Sequence, residues 1–169
     1  MVLTKEELIA SLQNEARILL HLAGKIDRNQ LDYRPTPKQR NTLELLQYLV
    51  VMGPRLIQGI KAGAFDQAAW QAAVAEANSM NFDQVLTAIG KQRGIYAELI
   101  GAFSDADFRG EIDLFGMGKA SRGSILVNMV LGGCAANRTQ LFLYLKSCGR
   151  EELNTMNLWA GVDSPMPSA

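Results

Sequence analysis

Few side chains in this sequence have the chemistry to activate a bond. Among 169 residues there is one histidine, His21. Neutral imidazole is the commonest nitrogen ligand for divalent transition metals and the side chain best suited to proton transfer near neutral pH. One imidazole cannot build a site that needs two or three. The two cysteines, Cys134 and Cys148, stand fourteen residues apart and fit no CxxC or zinc-ligand spacing. Cys134 lies in a strongly apolar stretch, where a buried thiol is expected and a disulfide framework is not. The run Gly116-Met117-Gly118-Lys119-Ala120-Ser121 superficially evokes a phosphate-binding loop. It lacks the first glycine and the GK[ST] ending, so it reads as a flexible turn. Asn128 and Asn137 interrupt an apolar helix and, if buried, need hydrogen-bond partners. Arg138 beside them is expected to brace carbonyls or a carboxylate.

The elements that position these groups are helical. Thr4 can cap a first helix, with Glu7 three residues on to complete a capping box. Leu8, Leu12, Ala16 and Leu19 then share one face, and Gly24 ends the run. Asp27 to Arg40, with Pro35 and Pro37, reads as an extended connection because each proline biases its predecessor away from helix. Asn41 caps a second helix, with Glu44 reaching back, and Leu45, Leu46, Leu49 and Met52 continue it. Pro54 removes a backbone donor and should kink or interrupt that helix. A short Ala-rich helix over about 66–77 can pack Trp70 against the rest.

A third long helix starts near Asn81 and carries Phe82, Val85, Leu86, Ile89, Tyr96, Leu99 and Phe103 as a core stripe. Residues 104–121 read as a loop with some extended structure. The fourth long helix, from Ser121 or Ser124 to Lys146, is apolar almost all round its first half, which places it as the most buried of the four. Gly132, Gly133, Ala135 and Ala136 let a neighbouring backbone approach it closely. This is an all-α, four-helix pattern with a long connection between helices 1 and 2 and a short extra helix between helices 2 and 3. It occupies 1–150, and 151–169 is an irregular C-terminal tail packed on or near it, with Leu158 or Trp159 as the anchor.

Composition narrows the function classes. Apolar residues make up 48% and charged residues 20%, ordinary usage for a single globular domain with a proper core. The 17 basic and 17 acidic side chains cancel, with no block of like charge. Nucleic acid and anionic membrane surfaces both require a basic patch, so neither is an expected partner. The N-terminal residues lack a basic region followed by an apolar run, so no secretory leader is expected. The longest apolar stretch, 125–136, is too short to span a bilayer. A cytoplasmic protein is the expectation.

Two separated blocks of residues carry a resemblance. Leu31-Asp32-Tyr33-Arg34-Pro35, followed by Thr42-Leu43-Glu44-Leu45-Leu46-Gln47-Tyr48-Leu49, is similar to the DinB-like superfamily of bacterial four-helix proteins. The likeness resumes at Ser121-Arg122-Gly123 and runs through Asn137-Arg138-Thr139-Gln140-Leu141 to Gly149. It covers about residues 8–149. The family typically places one metal-binding histidine early in its second helix and a His-x-x-x-His pair in its fourth, a spacing that sets two ligands on one helical face. The resemblance places those ligands at Tyr48, Gly133 and Asn137. Glycine offers no side-chain ligand, tyrosine binds divalent metals only in special settings, and asparagine is a weak oxygen donor.

The resemblance therefore implies the fold of the family and a homodimer, with no metal and no cofactor at the former cleft. His21, near the end of the first helix, and Cys134 can approach that cleft but would make a poor metal site. Two function classes follow. One is a non-catalytic, homodimeric protein that binds a small apolar molecule or serves structurally, with Tyr48, Met52, Gly133 and Asn137 lining the cleft. The other is a metal-independent or residual thiol-dependent S-transferase or isomerase using the same cleft. The first is preferred, because Lewis-acid activation contributes several kcal/mol to such reactions and nothing in the sequence replaces it.

Overall fold

The computed structural model describes residues 3–164. These residues are all-α apart from one hairpin of two two-residue strands. The main helices are α1 (Lys5–Ala23), α2 (Thr42–Ala62), α3 (Gln67–Asn78) and α4 (Phe82–Gly101). They are followed by the short α5 (Asp105–Arg109), then α6 (Arg122–Ile125), a π-helical turn over Leu126–Leu131, and α7 (Gly132–Ser147). The last three run on without a break, so together they are the fourth long helix expected from the sequence.

Local chemistry sets the helix starts. Thr4 and Glu7 form the capping box of α1, and Asn41 and Glu44 that of α2. Asn81 with Gln84 does the same for α4. Each box supplies acceptors to the orphan amides of a first helical turn. At the far end of α2, Gly63 takes a left-handed conformation at φ 79°. There the Arg122 guanidinium donates to the Ile60 carbonyl at 2.8 Å, one of the acceptors a helix end leaves free.

α1 packs on α4 and on α7, and α2 packs on the same two helices, enclosing one core. Leu12, Leu22, Leu45, Leu46, Ile57, Val85, Ile89 and Val130 are fully buried in it. α3 lies against α2. Asp27–Arg40 is a connection with one 3₁₀ turn at Arg28–Gln30, and its end is pinned by Tyr144, whose hydroxyl donates to the Arg40 carbonyl at 2.8 Å.

Three local expectations need correction. Residues 104–121 hold a helix as well as extended chain: Ser104 and Asp107 form a fourth capping box, which starts α5. Beyond it β1 (Glu111–Ile112) pairs antiparallel with β2 (Ala120–Ser121). The fourth long helix is not wrapped on all sides. Leu126, Val130, Cys134, Arg138 and Leu141 are buried, whereas Val127 and Leu143 are exposed. Its apolar residues outnumber the positions its neighbours cover. Asn128 is likewise exposed and donates to the Ser124 hydroxyl on its own helix at 3.2 Å.

The tail is held by more residues than the two expected. Leu153 and Asn157 are buried, and a π-helical turn spans Met156–Ala160, while Trp159 is 67% exposed. Residues 165–169 of the expected tail lie outside the described residues. Pro54 sits within α2, which runs from Thr42 to Ala62 uninterrupted.

Candidate functional site

Three of the four sequence-derived site residues come together. Met52 on α2 is buried, and its thioether faces Gly133 on α7: a Cβ added at Gly133 would lie 3.3 Å from both Sδ and Cε of Met52. The unbranched, polarisable methionine side chain suits an irregular gap of this kind. Asn137, one turn on, donates from Nδ2 to the Gly133 carbonyl at 2.8 Å. Its amide is thereby engaged within its own helix. The π-helical turn ends at Leu131, just before this small-residue stretch.

Tyr48 has different neighbours. The Arg40 guanidinium lies 3.9 Å over its ring, and Trp70 of α3 meets it edge-on with ring centroids 6.2 Å apart. These three side chains line a recess of about 480 Å³ between α2, α3 and the connection that precedes α2. Val74 and Asn78 of α3 continue the wall, with Glu44 and Gln47 opposite on α2. The Gln47 amide donates to the carbonyls of Asn78 and Met80, which fixes the end of α3 against α2. The Glu44 carboxylate accepts from the Asn41 amide and from Arg34. Among the described residues Arg40 has no carboxylate partner.

A buried polar chain runs beside the Met52–Gly133 contact. Pro54 cannot donate to the carbonyl of Val50, four residues back. Gln92 of α4 supplies the missing donor: its Nε2 reaches the Val50 carbonyl at 3.2 Å and that of Leu49 at 2.8 Å. The Tyr96 hydroxyl then donates to Gln92 Oε1 at 3.3 Å and lies 3.9 Å from Cys134 Sγ. Burial pushes the Tyr96 phenol well above its ordinary range and the Cys134 thiol up to about 12, only partly offset for the thiol by the Tyr96 hydrogen bond. The thiolate is the nucleophilic form of cysteine. Cys134 is thus held as an inert thiol.

Arg138 braces a carboxylate and a carbonyl together. It meets Glu15 of α1 with Nε to Oε2 at 2.7 Å and Nη2 to Oε1 at 3.2 Å, and both side chains are largely buried. Its Nη1 donates to the Leu158 carbonyl of the tail, and Trp159 covers the guanidinium face. His21 also serves the tail. Its Nε2 lies 3.1 Å from Asn157 Nδ2 and 3.7 Å from Asp163 Oδ1. The ring accordingly binds the tail, whereas the partner of Cys134 is Tyr96.

Comparison with solved structures brings out one likeness. A DinB-like protein, YjoA from Bacillus subtilis, superimposes with a TM-score of 0.65 at 16% sequence identity, covering 87% of this chain and 95% of that one. The fold is DinB-like. No protein-family model matches the sequence, and no curated protein matches it either.

At the three positions to which the sequence resemblance assigns metal ligands, the donor chemistry is poor. Gly133 has no ligand atom, the space in front of it holds the Met52 thioether, the Asn137 amide is turned to a carbonyl, and the Tyr48 ring lies under a guanidinium. These side chains do not fit a divalent metal. Among the described residues no three His, Cys, Asp or Glu side chains gather as a metal cluster.

Sequence reasoning overlooked Arg40, Gln92 and Glu15. Arg40 lies in a proline-rich connection with no periodicity to place it. Gln92 had a usable signal: a proline inside a helix frees a carbonyl, and a buried amide on a facing helix is one way to satisfy it. Glu15 falls one position from the apolar stripe of α1 and reads as solvent-facing.

Proposed function

We propose that the chain is a cytoplasmic, homodimeric DinB-like four-helix bundle that works without metal-dependent catalysis, as a small-ligand-binding protein. The observation that carries this reading is the Met52 thioether packed 3.3 Å from the place a Gly133 side chain would start. Met52 fills the space in front of Gly133, and the neighbouring recess that Tyr48 shares with Arg40 and Trp70 is open. At about 480 Å³ that recess falls within the roughly 300–1,000 Å³ usual for small-molecule sites. Its mix of aromatic walls and a few polar groups is also typical of them.

The residual-transferase reading has less support. The buried thiol nearest the cleft is protonated at neutral pH, and the only imidazole is engaged with the tail. Dimerisation is supported by apolar side chains left uncovered on the last long helix, Val127 and Leu143, and by Trp159 on the tail. No helix of the described residues is long and apolar enough to cross a membrane.

Thermal unfolding in the presence of zinc, nickel and a panel of small organic molecules tests the functional reading. Ligands that bind only the folded state raise the midpoint, by about 2.7 kcal/mol of added stability at a hundred times the dissociation constant. Organic molecules are expected to raise it and the metals to leave it unchanged; a rise with the metals alone overturns the proposal. Light scattering at micromolar concentration should return twice the 18.5 kDa chain mass.

A further inference from the structure

The recess beside Tyr48 has a definite chemical bias. The Arg40 guanidinium carbon lies 3.9 Å over the Tyr48 ring, and a guanidinium stacked on an aromatic ring keeps its N–H donors for an occupant. No carboxylate of the described residues pairs with it. The one acid in the wall, Glu44, is already matched by Arg34, whose Nη2 meets both carboxylate oxygens at 3.1 and 3.2 Å, and by the Asn41 backbone amide. The recess therefore carries one unmatched positive charge.

Beside Glu44, Gln47 and Asn78, the recess has two flat aromatic walls, Tyr48 and Trp70, and the apolar Val74. Trp70 stands between Tyr48 and Phe65, with centroids 6.2 and 5.4 Å away, so its ring is fixed by aromatic contacts on two sides. Rings held in this way give a planar ligand a rigid stacking surface at little entropic cost. A fork-shaped guanidinium matches the geometry of a carboxylate, through two parallel hydrogen bonds. A phosphate dianion would gain from the same arginine but would sit close to the Glu44 carboxylate, and it offers the aromatic walls nothing to stack.

We propose that the Arg40–Tyr48–Trp70 recess binds a small planar aromatic carboxylate, with the carboxylate on the Arg40 guanidinium and the ring against Trp70. This rests on the small-ligand reading above and names the ligand class. The aromatic walls supply contact area, and Arg40 supplies selection for the anion.

The test follows the Trp70 indole N–H resonance while the full-length protein is titrated with benzoate and, separately, with its uncharged isostere benzamide. The chain has two tryptophans, so a Trp70→Phe spectrum assigns the signal. Benzoate should shift the Trp70 resonance saturably and bind at least about tenfold more tightly than benzamide, the difference a charge-assisted hydrogen bond typically makes. Arg40→Gln should abolish that difference, with the remaining amide spectrum showing an intact fold. Equal binding of the two probes, or an Arg40→Gln protein that still prefers benzoate, overturns the carboxylate assignment while leaving a ligand site in place. No shift of Trp70 with either probe overturns both.

Discussion

Gln92 replaces the hydrogen-bond donor that Pro54 removes. The proline stands in the middle of α2, and the Val50 carbonyl it leaves free is met by the side-chain amide of a facing helix at 3.2 Å. Two residues thirty-eight positions apart thus form one unit: α2 stays continuous through a proline because α4 supplies the donor. The same amide accepts from Tyr96, which carries the link on toward Cys134.

This pairing predicts a double-mutant cycle. Gln92→Leu leaves a buried carbonyl without a donor and should cost about 1–3 kcal/mol by chemical denaturation. Pro54→Ala restores the helical N–H, and in that background the Gln92→Leu cost should shrink by about 1 kcal/mol. An unchanged cost would separate the two residues.

Gly53, next to the proline, is required by Tyr96. A Cβ there would overlap the Tyr96 hydroxyl and stand 3.0 Å from two ring carbons. Helix propensity alone favours alanine over glycine by about 1 kcal/mol. Overpacking costs about 1–3 kcal/mol, so Gly53→Ala should be net destabilising in urea unfolding. Adding Tyr96→Phe should recover part of the loss, because it removes the overlapping oxygen.

Arg138 and Glu15 are worth more as a pair than apart. Arg138→Met strands a largely buried carboxylate, and losses of about 3–5 kcal/mol are typical for such breaks. Replacing both, with Glu15→Leu added, should return most of that stability. The double variant should nonetheless stay sensitive to limited proteolysis near residue 158, since the donor to the Leu158 carbonyl is gone.

The tail should loosen in mild acid. Burial holds His21 below its ordinary value, helped by the positive charges of Lys25 and Arg17 and opposed by Asp163. A pKa lower in the folded state means the docked tail favours the neutral ring. Its contribution is complete above the unfolded value of about 6.5 and falls away as pH drops through the folded one. Protonation also turns the Nε2 acceptor that faces Asn157 Nδ2 into a second donor. The hydrogen bond from Lys25 holds Asp163 below its usual range, so its contribution is lost only at lower pH, with the same sign. Amide exchange in 154–164, corrected for intrinsic rates, should accelerate from pH 7.5 to 5.5, and His21→Gln should flatten that dependence.

Much of the fold was legible from spacing and caps. Thr4, Asn41, Asp66 and Asn81 each begin a helix where the sequence places one, because a side-chain acceptor followed by an apolar stripe acts over a single turn. What escaped is what depends on neighbours distant in sequence. The single turn of α5 is too short to show a period. The exposure of Val127 and Leu143 depends on which helices stand beside them. At the site, the sequence reading named Met52 and Gly133 as lining one cleft with Tyr48, whereas the recess behind Tyr48 arises from the packing of α3 on α2 and from the path of a connection that has no pattern to read.

The proposed exclusion of a divalent metal rests on the Met52 thioether packed against Gly133. The metal content of untagged protein, equilibrated with excess zinc or nickel and then freed of unbound ion, tests it most directly. Far less than one ion per chain is expected, unchanged by Asn137→Ala or Tyr48→Phe. One tightly held ion per chain, lost on either substitution, would contradict it.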